Sequence, residues 1–107
     1  MPLAITPTNL RVEVVTPGTP VQVTADTGIV PQGVYFEAHK NNVGFILVMR
    51  SSGNGSTYMA KLSAGDSFQL GAATGQRDEG GHGIQLSDIY IDAENAAEAA
   101  LVTYLPR

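Results

Sequence analysis

Leu10-Arg11-Val12-Glu13-Val14-Val15, then Thr16-Pro17-Gly18-Thr19-Pro20, then Val21-Gln22-Val23-Thr24: this run decides the fold class. Leu10, Val12 and Val14 fall on one face of an extended chain, Arg11 and Glu13 on the other. A period of two is the signature of a strand buried on one side. The middle segment stops that strand, because proline presets φ and glycine admits φ > 0. Val21 and Val23 then resume the alternation. The reading is strand, turn, strand.

The same grammar continues along the chain. Val34 to His39 alternates, with Val34, Phe36 and Ala38 on one face. Asn41-Asn42 marks a turn. Val43 to Arg50 is apolar on both faces: Phe45, Leu47 and Met49 on one, Ile46 and Val48 on the other. A strand with one wet face does not look like that. It is covered on both sides within the domain, or one face meets another subunit. Thr57 to Leu62, Ser67 to Leu70 and Ser87 to Asp92 are further strands, and Leu101 to Leu105 is the last. Glu94 to Ala100 has helix-forming composition over about two turns, too short to hold unless it packs.

Short strands at roughly 8–12 residue spacing indicate a sandwich or barrel. The chain therefore reads as all-β: a small antiparallel β-sandwich or jelly-roll-like barrel of about eight short strands. Residues 1–9, with Leu3, Ile5 and two prolines, read as an extended N-terminal arm. Residues 10–107 read as a single β-sandwich domain.

Composition narrows the function classes. The 107 residues carry six basic and ten acidic side chains, a net charge of −4. That argues against nucleic acid, whose binders need a basic stripe to displace counterions. No apolar run approaches the roughly 18 residues of a membrane span. The first residues lack the charged and apolar regions of a signal peptide. With no cysteine, disulfides and thiolate sites are excluded. Only 15% of residues are charged, against the usual quarter. So little charge for a small domain suggests that part of the surface is covered by a neighbour.

Candidate chemistry is sparse. His82 has Asp78 and Glu79 nearby, but the surrounding glycines of residues 71–83 make a poor metal cage. That stretch, with Gln76, Arg77, Asp78, Glu79 and His82, reads as an exposed loop that is solvated or meets a partner. His39, beside Lys40, reads as a surface residue. Asp88 and Asp92 occupy positions typical of solvent-facing residues, with no sign of the apolar pocket a catalytic carboxylate needs. Asp88-x-x-x-Asp92-x-Glu94 is not a calcium-loop pattern. No serine lies in a nucleophile elbow, and no glycine cluster has phosphate-loop spacing. Asn54-Gly55-Ser56 fits a glycosylation sequon and reads as a chance match. No catalytic residue, cofactor or metal is expected.

Four segments carry a resemblance. They are Thr16-Pro17-Gly18-Thr19-Pro20-Val21-Gln22-Val23, Leu62-Ser63-Ala64-Gly65-Asp66-Ser67-Phe68-Gln69-Leu70, Leu86-Ser87-Asp88-Ile89-Tyr90-Ile91-Asp92-Ala93 and Val102-Thr103-Tyr104-Leu105. In this order they resemble small all-β structural proteins of tailed bacteriophage virions, such as capsid cement (decoration) proteins. The resemblance implies a non-enzymatic protein on the capsid exterior, made in the host bacterial cytoplasm. Its partner would be the major capsid protein, its state a homotrimer, with neither nucleic acid nor membrane involved. Leu3, Ile5, Phe45, Leu47 and Met49 are then the candidate assembly interface. A host-attachment or carbohydrate-binding module, using Tyr35, Tyr58 and Tyr90, is the alternative, as is a head–tail or neck component.

Overall fold

A computed structural model describes residues 7–31, 33–51, 53, 56–71 and 84–104. Eight strands are present among them: β1 Thr8–Val14, β2 Val21–Gln22, β3 Gly33–Ala38, β4 Ile46–Arg50, β5 Ala60–Leu62, β6 Ser67–Gly71, β7 Ile89–Ala93 and β8 Glu98–Tyr104. One turn of 3-10 helix, Leu86–Asp88, leads into β7.

The strands form two four-stranded antiparallel sheets, ordered β1-β8-β3-β6 and β2-β7-β4-β5. The pairing has a simple rule. β1 pairs with β8, β2 with β7, β3 with β6 and β4 with β5. That is one long antiparallel ribbon folded back at the β4–β5 connection. Rolling the ribbon sets β8 beside β3 and β7 beside β4, which closes both sheets. This wiring is a jelly roll.

Alternation sorts the side chains. Val12 and Val14 from β1, Val34, Phe36 and Ala38 from β3, and Ala100 and Val102 from β8 face Ile46, Val48, Ile89 and Ile91 of the other sheet. Phe36 is fully buried and its ring stacks on Phe68, centroids 6.1 Å apart. Leu86, also fully buried, plugs the core from the 3-10 turn. Each large apolar side chain buried this way contributes about 1.5–3 kcal/mol.

Rolling also sorts the connections. The β1–β2, β3–β4, β5–β6 and β7–β8 links gather at one end, and hydrogen bonds between them record it. Ala97 N–H donates to Val14 O (2.8 Å), Glu94 N–H to Phe45 O (3.0 Å) and Gly65 N–H to Ala38 O (3.0 Å). The longer connections meet at the opposite end. There Ile84 N–H donates to Pro31 O (2.7 Å) and Gln85 Nε2 to Thr27 O (2.8 Å).

Two expectations change. Glu94 to Ala100 is not helical: residues 94–97 turn between the sheets and Glu98–Ala100 open β8. Alanine favours a helix locally, but β8 is paired on both sides and tertiary pairing wins. Small side chains suit that crowded position, where Ala100 lies opposite both Val12 and Ala38. In addition, Thr8 and Asn9, assigned to the arm by sequence, pair with Tyr104 and Thr103 as part of β1.

Candidate assembly surface at the short-loop end

Two buried carboxylates organise the short-loop end. Glu98, 8% exposed, opens β8 opposite Val14. It accepts hydrogen bonds from Val43 N–H and from Gly44 N–H, the latter at 3.0 and 3.2 Å to its two oxygens. Burial pushes its pKa up. The donations from Val43, Gly44 and Asn95 outweigh that and hold the carboxyl below the ordinary glutamate value. Glu98 therefore stays charged and fastens the β3–β4 loop to the start of β8. Asn42 seals the same loop: its Nδ2 donates to Ala99 O (2.9 Å) and its Oδ1 accepts from Ala99 N–H (3.2 Å).

Asp92, 6% exposed, does the corresponding work on the other sheet. Its Oδ1 accepts from Gly18 N–H at 3.0 Å and from Ala93 N–H at 2.8 Å. Asp92 was expected to face solvent, but the β1–β2 turn folds back over it. Thr19 N–H closes that turn on Thr16 O at 3.0 Å, with Pro17 and Gly18 as its central residues. Gly18 has φ +87, which a glycine adopts without strain.

Rigid loops thus present apolar side chains to water. Val15, just past β1, is 70% exposed, and Val43, on the Glu98 clamp, is 91% exposed. Both were assigned to strands by sequence, and both lie beyond the strand ends. Neither carboxylate clamp was identified from sequence. The nearest signals were Val14-Val15, which interrupts the alternation, and Val43 following a turn dipeptide.

The interface residues expected on β4 are placed differently. Met49 is fully buried and Leu47 nearly so, on the side away from the main core. A Cβ on Gly53 would stand 2.6 Å from Met49 Cβ, so the chain after β4 folds directly over Met49. Phe45 is half-buried, with Lys61 Nζ 4.2 Å above its ring centre. Leu47 and Met49 are thus covered within the chain, the first of the two explanations open for β4, whereas Phe45 keeps part of its surface exposed. Leu3 and Ile5, and the loop residues Gln76, Arg77, Asp78, Glu79 and His82, lie outside the described residues.

His39 follows β3 half-buried, its Nδ1 accepting from Asn41 N–H at 3.0 Å. Asp88 pairs with Arg50 at 3.1 Å near the opposite end. Its hydrogen bonds from Ser51 and Arg50 hold its carboxyl below the usual aspartate value. Among the described residues no group of three or more His, Asp or Glu side chains could hold a metal ion. The three candidate tyrosines separate: Tyr35, exposed, is on the outer face of the first sheet, Tyr90, half-buried, is on that of the second, and Tyr58, exposed, precedes β5.

No protein-family model matches this chain, and no curated protein or solved structure is significantly similar to it.

Proposed function

We propose that this chain is a non-enzymatic structural protein of a tailed-phage virion, a cement protein that seats on the assembled capsid shell. In this reading the major capsid protein is the partner and the protein acts as a homotrimer on the capsid exterior. The observation that supports it best is the short-loop end, where Glu98 and Asp92 fix loop backbone while Val15 and Val43 stay exposed. A decoration protein needs such a seat: preformed, so that little ordering entropy is lost on docking, and repeated, so that modest contacts add up across the oligomer. Within the described residues, the four segments that carry the family resemblance fall on the β1–β2 turn with β2, the β5–β6 hairpin, the 3-10 turn with β7, and the end of β8 through Tyr104. Jelly rolls also build viral coat domains, although a fold alone does not assign a function.

Co-sedimentation with purified, fully assembled shells tests the reading. The intact protein is expected to pellet with shells at high, saturable copy number. Val15→Asp and Val43→Ser should each reduce that binding about tenfold or more, the effect of losing a well-packed interface contact. Failure of the intact protein to bind any shell would reject the assignment. A copy number of a dozen or fewer would place it instead at the neck.

A further inference from the structure

The two outer faces of the sandwich are unequal. On the second sheet Leu47, Met49 and Asp92 are buried, whereas on the first Asn9, Arg11, Glu13, Tyr35, Ser67 and Gln69 are exposed. Register lines up three of these first-sheet positions with the half-buried Thr103. Asn9 pairs with Thr103, Thr103 with Tyr35, and Tyr35 with Gln69. Their neighbours Leu10, Val34, Val102 and Leu70 all pack on the core, so these four side chains point outward. The result is a straight row across every strand of the sheet, spanning roughly 14 Å at the usual strand spacing.

The row has a definite chemistry. Its one ring, Tyr35, is 41% exposed. Carboxamides stand at both ends of the row, and none of its four members is an acidic or basic residue. Thr103 Oγ1 donates to Asn9 Oδ1 at 2.8 Å, which orients that amide and leaves its N–H groups for a ligand. Gln69 makes no side-chain hydrogen bond among the described residues. The next row is Arg11, Leu101, Glu37 and Ser67, where Arg11 is already paired with Glu13 at 2.9 Å. An anionic ligand would find there one guanidinium, shared with Glu13, and would face Glu37.

A pyranose has a C–H face that stacks on an aromatic ring and a rim of hydroxyls that both donate and accept. Carboxamides and hydroxyls are the side chains that can answer in both senses. We infer that the row Asn9–Thr103–Tyr35–Gln69 is a binding site for an uncharged oligosaccharide lying across the strands. It uses none of the short-loop residues and holds whether or not the chain decorates a capsid.

The test is a titration of isotope-labelled full chain, followed by amide resonances, with cellohexaose, maltohexaose and mannohexaose at millimolar concentration. At least one sugar is expected to give saturable shifts centred on Asn9, Tyr35, Gln69 and Thr103. Tyr35→Ala and Gln69→Ala should each weaken that binding by about tenfold while resonances of the core are unchanged. A hexamer of galacturonic acid should give no shifts. The inference is overturned if no neutral hexamer produces saturable shifts, or if Tyr35→Ala binds as tightly as the parent. Shifts on this face caused by raising protein concentration alone would also overturn it, by assigning the row to a second copy of the chain.

Discussion

Replacing Glu98 by glutamine keeps the size of the side chain and removes its charge. The structure sets the cost. Two backbone N–H groups, of Val43 and Gly44, converge on the carboxylate, and Asn95 adds further donation. Both amides donate to one and the same carboxylate oxygen, so a glutamine oxygen placed there can still accept from both, and what the variant loses is the charge. Turning two hydrogen bonds to a charged group into neutral ones, and setting an NH2 where Gly44 N–H makes its second contact, costs about 1–2 kcal/mol. For a domain of this size that lowers Tm by roughly 4–15 °C. Urea unfolding should show this as a reduced midpoint with an unchanged slope. The pH dependence separates charge from shape. The folded pKa lies below the unfolded value, which is near 4.5. The stabilisation from the charge is therefore complete above the unfolded pKa and is lost as pH falls through the folded one. The gap between parent and Glu98→Gln should be constant near neutrality and should narrow below about pH 4.5. Hydrogen exchange at Val43 and Gly44 should accelerate in the variant. A destabilisation under about 0.5 kcal/mol, the range of an ordinary surface change, would refute the clamp. So would a gap that does not narrow in acid.

Gly44→Ala would bring a Cβ to 2.5 Å from Glu94 Oε1 and 2.7 Å from Glu94 Cβ. Urea unfolding should register a loss of about 1–3 kcal/mol, as for other overpacked sites. Ala97 has φ +65, a conformation that an alanine adopts at a cost. Ala97→Gly should raise stability by about 0.5–1 kcal/mol, the relieved strain less the added chain entropy. Val15→Asp and Val43→Ser should leave the unfolding free energy within about 0.5 kcal/mol of the parent, because both side chains are exposed and neither change sets a second carboxylate beside Glu98. A larger drop would mean that they pack within the fold rather than waiting for a partner.

The fold was readable where burial is one-sided. β1 and β3 follow strict alternation because one face of each meets the core, and period two survives in sequence. The Thr16–Thr19 and Ser63–Asp66 turns announce themselves through Pro17-Gly18 and Gly65-Asp66. What could not be read was set by distant partners. Glu94 to Ala100 looks helical by composition, but residues 94–97 form a turn and Glu98–Ala100 become strand, because β1 pairs with all three and β3 joins at Ala100. The doubly apolar β4 allowed two explanations, and only the return of the chain over Met49 decides between them. Sequence distance hid the short-loop end altogether. Glu98 is 55 residues from Val43 and Asp92 is 74 from Gly18, so no local pattern marks either carboxylate as buried.

These placements share one cause, the ribbon pairing of β1 with β8 through β4 with β5. Rolling such a ribbon sends alternate connections to opposite ends, so tight turns can collect at one end and longer loops at the other. Short turns leave many backbone N–H groups close together and shielded from water. Each must find an acceptor, and a buried carboxylate supplies several lone pairs at once. Glu98 fills that role for Val43 and Gly44, and Asp92 for Gly18 and Ala93. The same roll leaves the first sheet with an open outer face, while the chain returning over β4 and the β1–β2 turn cover the second. A preformed loop end and an open polar face therefore lie on different sides of one small scaffold. A substitution at either can change binding there without passing through the core.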